Sequence, residues 1–343
     1  MFPPVATISS PSRPVAGASQ HFVTEALRLE ELLAKHGAAV RVGRAILSPQ
    51  SIRFPLQLGL GTTARRLLNL SREIAREAGY PRCRLLREGR LFFFEVPRDE
   101  GVSLRYGDLL ELNGPPPSNG TLLGMMEGGL SMTLSMTHPA LCHLLLLGES
   151  GVGKSELLRV MALSLALHHP ARHWRLALLD SRPESSLALL RHLMHCWTWS
   201  ERPEHAAGWL VRLLTEMRAR ERGTRPGARV LALVDDAEQV LEAGGGTIRT
   251  VLRALLERGP AVGIHLAMAC REATSLDDLM PLFPVRLVGE GRHLPGRFCV
   301  HSEEGTAPLI AARLEEHEVV RAISQLRRGR TRVVARLPEG DVS

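Results

Sequence analysis

A glycine-rich stretch with one lysine is the segment of this sequence whose residue types and spacing point most directly to chemistry. Residues 148–155 read GESGVGKS and fit the pattern G-x-x-x-x-G-K-[S/T], directly after the apolar run LLLL at 144–147. A buried strand, this turn and a helix N-terminus together direct backbone N–H groups and a positive dipole end toward a polyphosphate. The pattern therefore predicts a nucleotide-binding loop.

Within this loop we expect the backbone to surround the phosphates. The predicted cofactor-binding residues are Gly148, Glu149, Ser150, Gly151, Val152, Gly153, Lys154 and Ser155. The chain contains only two lysines, Lys35 and Lys154, and otherwise carries its positive charge on arginine. Lys154 would reach the β- and γ-phosphates as a compact ammonium, a task that a planar guanidinium does not reproduce. The Ser155 hydroxyl would bind Mg²⁺, so ATP and Mg²⁺ are the predicted cofactors.

Two carboxylates end a second apolar stretch, ARVLALVDD at residues 228–236. Hydrolysis of a bound nucleotide needs an acid near the metal and a group that orients the attacking water. We predict that Asp235 supports Mg²⁺ through water and that Asp236 polarises the attacking water. The alternative, in which both carboxylates belong to a solvated strand end, remains open from the sequence.

The elements that would position these residues alternate along the chain after residue 120. Apolar segments at 144–147, 174–180, 228–234 and 263–270 read as strands, and segments after the glycine loop, at 184–195, 203–222 and 248–259, read as helices. This alternation predicts an α/β fold with a mostly parallel sheet covered on both faces. Such a sheet binds ligands at the carboxyl ends of its strands, where the loop, Asp180, Asp235 and the turn ACRE at 269–272 would lie.

Composition divides the chain further. Residues 1–21 are rich in Pro and Ser and predict a disordered tether that could hold a partner. Residues 22–113 mix helical and strand patterns and predict a smaller α+β domain, which would include a short helix within SLRYGDLLELN. The linker GPPPSNG covers 114–120, and the nucleotide-binding domain covers 121–343.

Charge and cysteine content restrict the class of protein. The 343 residues carry a formal net charge of +7, which is compatible with a polyanionic partner such as nucleic acid. Five dispersed cysteines without metal-ligand spacing favour a reduced, cytoplasmic protein. No run of 18 apolar residues and no signal peptide is present, so we expect no membrane segment.

From about residue 24 to 336 the chain resembles the FtsK/SpoIIIE family of DNA translocases. HLLLLGESGVGKS is similar to the family's HLLIAG and P-loop, EMRAR to its EMERR, VDD to its VDE, and AVGIHLAMACREA to its AAGIHLVLATQRP. The segment LLNLSREIA is similar to its ISNLSRDIA. The resemblance implies an α domain on a RecA-like β domain, assembled as a hexameric ring around double-stranded DNA with ATP between subunits.

Departures from the family pattern concern the same site. Asp236 stands where the family has glutamate, and this double-aspartate ending resembles secretion ATPases of the EccC type. Arg271 stands where the family has a glutamine that senses the γ-phosphate. The family's arginine before AAGIH falls on Pro260. Arg258 or Arg253 would therefore be the arginine finger that acts in trans, on the nucleotide of a neighbouring subunit. We expect no winged-helix module for reading DNA orientation.

Three functions follow from these patterns. The leading hypothesis is an ATP-driven motor on double-stranded DNA, in which Asp236, Asp235, Arg271 and Arg258 are catalytic and Ser155 and Asp235 hold the metal. The second is an EccC-like ATPase acting on a protein. The third is a nucleotide-binding assembly subunit in which Asp236 and Arg271 have disabled hydrolysis.

Overall fold

The computed structural model describes residues 20–47, 51–79, 83–89, 91–97, 104–126, 130–181, 185–223, 227–303 and 305–328. The predicted tether lies outside these residues except at positions 20 and 21, which begin the first helix. The helices are Gln20–Lys35 (α1), Ala64–Glu77 (α2), Tyr106–Asn113 (α3), Lys154–His168 (α4), Pro203–Glu221 (α5), Ala237–Arg258 (α6) and Glu316–Arg327 (α7).

The strands form two sheets. They are Val40–Val42 (β1), Ile46–Leu47 (β2), Ser51–Leu58 (β3), Arg84–Glu88 (β4), Leu91–Pro97 (β5), Leu104–Arg105 (β6), Gly120–Met126 (β7), Ser131–Ser135 (β8), Leu144–Leu147 (β9), Trp174–Leu179 (β10), Cys196–Ser200 (β11), Arg229–Val234 (β12), Ile264–Cys270 (β13), Val285–Gly289 (β14), Arg297–Ser302 (β15) and Gly305–Arg313 (β16).

The smaller sheet has the order β1-β3-β5-β4, with β2 also paired to β3, and its pairings are antiparallel. Strands β4 and β5 form a hairpin whose turn contains Gly89 at φ 62°, a conformation that glycine adopts without strain. Residues from α1, α2 and this sheet, including Leu33, Leu67 and Phe94, form one buried apolar cluster. An α+β unit thus precedes the nucleotide-binding loop, as predicted.

The larger sheet has the order β11-β10-β12-β13-β9-β14-β15-β16-β7-β8, with β6 paired to β16. The pairings from β11 to β14 are parallel, and those from β14 to β8 are antiparallel. Apolar clusters cover both faces of the parallel part, which explains the continuous apolar runs in β9 and β12. The predicted α/β fold is confirmed.

The residues at the end of the predicted first domain, from β6 to residue 113, pack on the larger sheet and not on the smaller one. Strand β6 pairs with β16, and the Arg105 guanidinium donates to the carboxylate of Glu318 on α7 at 2.8 Å. Tyr106 and Leu109 on α3 are buried in the core of the larger sheet. The short helix forms where the sequence predicts it, but its apolar face packs on the second unit.

One predicted helix, at residues 184–195, is wrong over its described residues 185–195. Only a 3-10 turn at Ala188–His192 forms, and the chain then enters strand β11 at Cys196. Leu187, Leu190 and Leu193 are buried at a spacing of three, which is the repeat of a 3-10 helix. Among the described residues, no helix combines the length and apolar character needed to cross a membrane.

Candidate functional site

The nucleotide-binding loop connects β9 to α4. Gly148, Gly151 and Gly153 have φ values of 136°, 92° and 102°, in a region that favours glycine. A Cβ on Gly153 would lie 3.3 Å from the backbone nitrogen of Gly296, so the loop also has little spare space at this point. The first N–H groups of an α-helix have no partner within the helix, and Lys154, Ser155 and Glu156 of the first turn of α4 line the cavity described below.

Lys154 is the first residue of α4, and its side chain bends back over the loop. Its ammonium donates hydrogen bonds to the carbonyl oxygens of Gly148 and Glu149, the latter at 2.9 Å. The residue is only 9% exposed. Burial lowers the pKa of Lys154, while the charges of Asp235 and Glu238 raise it. The amine is therefore held at the loop by carbonyls that phosphate oxygens can replace.

The two aspartates lie at the carboxyl end of β12, next to this amine. The backbone N–H of Asp235 donates to the carbonyl of Leu179 at 2.9 Å, which continues the parallel pairing beyond the strand. Asp236 adopts a left-handed conformation with φ 55° and precedes α6. Its Oδ2 accepts a hydrogen bond from the Gln239 amide at 3.0 Å. Both aspartates are buried, which excludes the alternative of a solvated strand end.

Arg271 follows strand β13 and faces Asp236. The distance from its Nη2 to Asp236 Oδ2 is 3.7 Å, and 56% of its side chain is exposed. The loop that carries it is bound by Glu238, on the first turn of α6. Glu238 Oε1 accepts hydrogen bonds from the Cys270 thiol at 2.9 Å, from the Arg271 N–H, and from the Glu272 N–H at 3.2 Å.

These groups enclose a cavity of about 190 Å³. The loop lines one side with Ser150, Gly151, Gly153, Lys154 and Ser155, and α4 adds Glu156. The strand ends line the other side with Asp235, Asp236, Glu238, Ala269, Cys270 and Arg271. A concave site that combines a buried ammonium, a helix N-terminus and carboxylates can bind a polyphosphate together with a divalent cation.

The donors present fit Mg²⁺ and ATP. In the described part of the chain, no group of three or more His, Cys, Asp or Glu side chains forms a ready-made metal cage. Mg²⁺ typically takes one or two protein oxygens, several waters and substrate phosphates. The Ser155 hydroxyl and the Asp235 carboxylate line the same cavity and are the oxygens that would hold it.

Three predicted loop residues do not line the cavity. Val152 is fully buried, and its carbonyl accepts a hydrogen bond from the Gly296 N–H at 2.9 Å. Glu149 points outward and pairs with Arg292 at 3.0 Å. Gly148 contributes its carbonyl to Lys154. These three residues contribute to the shape of the loop, and none of them lines the cavity.

Arg258, Arg253 and Asp180 are not among the residues that line the cavity. Helix α6 starts at the carboxyl end of β12 and ends before β13, so its last turn lies at the opposite edge of the sheet from Lys154. In that last turn Arg258 binds Glu221 through two contacts of 3.0 and 2.5 Å. Arg253 lies earlier on the helix and binds Asp278, in the segment between β13 and β14, at 3.0 Å. Asp180 is buried after β10 and does not line the cavity.

The sequence patterns miss Glu238 and Glu156 and give no role to Cys270 of the ACRE turn, although all three line the cavity. Glu156 accepts the Leu314 N–H at 3.1 Å and is bound by Arg159, so it joins α4 to the segment before α7. A sequence signal for Glu238 exists in hindsight. Glu238 is an acid in the first turn of a helix, where the helix dipole favours a carboxylate.

The chain is similar in sequence to one protein family and to individual proteins that contain a related segment. Residues 123–226 match the model of the FtsK/SpoIIIE family. The DNA translocase FtsK of Leptospira interrogans is 22% identical over 275 residues, covering 71% of this chain and 29% of that protein. The DNA translocase FtsK of Mycobacterium leprae is 23% identical over 256 residues, covering 64% of this chain and 30% of that protein. The chain thus spans less than a third of the length of these relatives.

Solved structures share the fold at low identity. The cytoplasmic domain of the type VII secretion ATPase EccC of Thermomonospora curvata has a TM-score of 0.52 at 20% identity, over 67% of this chain and 32% of that one. The pCW3 conjugation coupling protein TcpA, solved as a monomer with ATPγS, has a TM-score of 0.52 at 12% identity, over 89% of this chain and 99% of that one. The predicted resemblance to the FtsK/SpoIIIE family is confirmed, and residues 123–226 are the part of the chain that the family model matches.

Proposed function

We propose that this chain is a cytoplasmic, ATP-dependent translocase of double-stranded DNA that hydrolyses ATP between the subunits of a hexameric ring. The observation that carries the proposal is the joint placement of Lys154, Asp235, Asp236 and Arg271 around one cavity. The curated relatives named DNA translocase FtsK support DNA as the substrate. The net charge of +7 is compatible with a polyanionic track.

Each side chain would have a defined part in hydrolysis. When bound, Mg²⁺ and ATP supply the phosphoryl group under attack and the metal that neutralises its charge. Lys154 would donate to phosphate oxygens in place of its carbonyl partners, and Ser155 and Asp235 would hold the metal. Asp236 accepts a hydrogen bond from the attacking water and so orients it. Arg271, whose Nη2 lies 3.7 Å from Asp236 Oδ2, would donate to the terminal phosphate.

In the proposed ring, the sites would be completed by neighbouring copies. Within one copy Arg258 lies at the sheet edge opposite Lys154, and its guanidinium is half exposed although it binds Glu221. A neighbouring copy that presents this edge to the cavity would bring Arg258 toward its nucleotide. We propose Arg258 for that role, with Arg253 as the alternative on the same helix.

The test measures steady-state ATP hydrolysis with and without linear duplex DNA at low and moderate salt. We expect DNA to stimulate turnover and salt to weaken the stimulation, because binding to phosphates releases counterions. The Lys154→Ala variant is the blank for contaminating ATPases. Turnover that duplex DNA leaves unchanged at low salt would contradict a DNA motor while leaving the ATPase itself intact.

The pair Asp235-Asp236 favours a second candidate, a secretion-type ATPase that acts on a protein. The Asp236 carboxylate ends one methylene earlier than that of a glutamate, as in the EccC-like pattern of the sequence. This candidate predicts DNA-independent turnover and recovery of a small secreted protein in a pull-down with the full chain. Recovery of DNA instead would return the preference to translocation.

Asp236 and Arg271 also motivate a third candidate, a subunit that binds ATP without hydrolysing it. The Asp236 carboxylate is already engaged by Gln239 and faces a permanent cation. This candidate predicts tight ATP binding with negligible turnover, and no recovery of turnover in Asp236→Glu. Turnover in the wild-type chain that depends on Lys154 would exclude it.

A further inference from the structure

Glu238 is the acid that connects the two loops facing each other across the nucleotide cavity. It lies on the first turn of α6, two residues after Asp236. Its Oε1 receives the Cys270 thiol at 2.9 Å and the backbone N–H groups of Arg271 and Glu272. One carboxylate oxygen thus binds three consecutive residues at the end of β13.

The position of Arg271 depends on this contact. Its side chain is 56% exposed, and the ion pair with Asp236, at 3.7 Å, is loose. A long, exposed arginine gains little from such a pair because solvent screens it and its rotamers must be restricted. The partly buried carboxylate of Glu238 instead accepts the Arg271 backbone N–H, which fixes the position of the backbone from which the guanidinium extends.

We propose that Glu238 is a positioning residue for Arg271. Its carboxylate holds the loop after β13 so that the guanidinium faces Asp236 inside the nucleotide cavity, and only the side chain has to move when a terminal phosphate is present. The inference rests on the proposed ATP hydrolysis at this site. According to this inference, Glu238 affects turnover by positioning Arg271 and does not itself contact the nucleotide.

The charge of Glu238 fits this part. Burial by itself raises the pKa of Glu238, but the hydrogen bonds from Cys270 and the backbone N–H groups lower it below the ordinary value. The carboxylate is therefore ionised at neutral pH. Burial raises the pKa of the Cys270 thiol, and the neighbouring Glu238 carboxylate raises it further. The thiol proton consequently stays in place as a donor to Glu238.

The first experiment measures kcat and KM for ATP in three single variants. Glu238→Ala removes the carboxylate, Glu238→Gln keeps an acceptor oxygen of the same length, and Glu242→Ala is the matched control on an exposed position of the same helix. We expect Glu238→Ala to lower kcat about 10- to 100-fold, because an error of about 1 Å in a catalytic group costs on this order. KM should change less than about threefold, Glu238→Gln should recover part of kcat, and Glu242→Ala should match wild type.

A double-mutant cycle with Arg271→Ala separates positioning from general destabilisation. If Glu238 acts through Arg271, Glu238→Gln should lower kcat in the wild-type background and have no further effect in Arg271→Ala. A purely structural role would give additive losses in the two backgrounds. Additive losses, or a wild-type kcat in Glu238→Ala, would overturn the proposal.

Cys270 provides a readout that does not require turnover. The rate of alkylation of Cys270 by a maleimide, followed by mass spectrometry of the full chain's peptides, should rise in Glu238→Gln and stay unchanged in Glu242→Ala. Equal rates in wild type and Glu238→Gln would overturn the contact, whatever the ATPase result. A wild-type chain without ATP turnover would overturn the proposed hydrolysis, and the alkylation rates would then decide the contact alone.

Discussion

Replacing Lys154 by alanine tests the nucleotide site most directly. The ammonium donates two hydrogen bonds to loop carbonyls, and in the proposed complex it donates to phosphate oxygens instead. A hydrogen bond to a charged group contributes about 1.5–3 kcal/mol, so two such bonds amount to about 3–6 kcal/mol. At about 1.4 kcal/mol per factor of ten, we expect kcat/KM for ATP to fall about 10²- to 10⁴-fold.

The folded chain should tolerate this change. Lys154→Ala loses two hydrogen bonds, but it also removes an ammonium whose burial lowers its pKa and so opposes folding. We expect the melting temperature to shift by less than about 4 °C, which corresponds to roughly 1 kcal/mol for a domain of this size. Lys154→Arg keeps the charge but not the compact shape, and we expect it to remain inactive.

The other lysine supplies the matched control. Lys35 is 70% exposed and pairs with Glu77 at 2.5 Å in the smaller domain. Surface pairs of this kind contribute about 0–1 kcal/mol, so Lys35→Ala should keep both its melting temperature and its ATPase activity. The assay is coupled ATP hydrolysis at saturating and limiting ATP. A Lys154→Ala enzyme that retains kcat/KM within about threefold of an active wild type would refute the assignment of this loop.

Three further predictions concern two buried histidines of the core, the proposed water-orienting carboxylate and a close contact between two strands. Burial lowers the pKa of His143 to about 3 and of His265 to about 4, whereas the unfolded chain binds protons on both below about pH 6.5. The free energy of unfolding should therefore fall as pH drops from about 6.5 toward 4, by about 2 kcal/mol per histidine at pH 5. Thermal melts at about pH 7.5 and pH 5 measure this, and equal melting temperatures would contradict it. Asp236→Asn should lower kcat about 10²- to 10⁴-fold while a fluorescent ATP analogue still binds, and an unchanged kcat would exclude Asp236 as the water-orienting group. Gly124→Ala should lower the melting temperature strongly, because the new Cβ would lie 2.1 Å from the Ile310 carbonyl oxygen. A native melting temperature in that variant would show that β7 and β16 can separate without loss.

The parts of the site that could be predicted from the sequence are contiguous in the chain. The segment from β9 through Lys154 and Ser155 contains its own strand, glycine turn and helix start, so its geometry follows from local conformational preferences. Asp235 and Asp236 were predictable for a similar reason, because they end an apolar run that only a buried strand explains. The alternation of such segments also determined the α/β fold.

The remaining features depend on contacts between residues that are distant in sequence. Glu238 and the N–H groups of Arg271 and Glu272 are separated by a long helix and a strand, and only the parallel pairing of β12 with β13 brings them together. The same holds for β6 and β16. Because these strands pair, the second unit starts earlier in the chain than the sequence predicts, at β6. Local patterns specify which elements form and which of their faces are apolar. Which elements become neighbours is decided when those faces are buried together, and that choice minimises the exposed apolar surface of the whole chain rather than of any one segment.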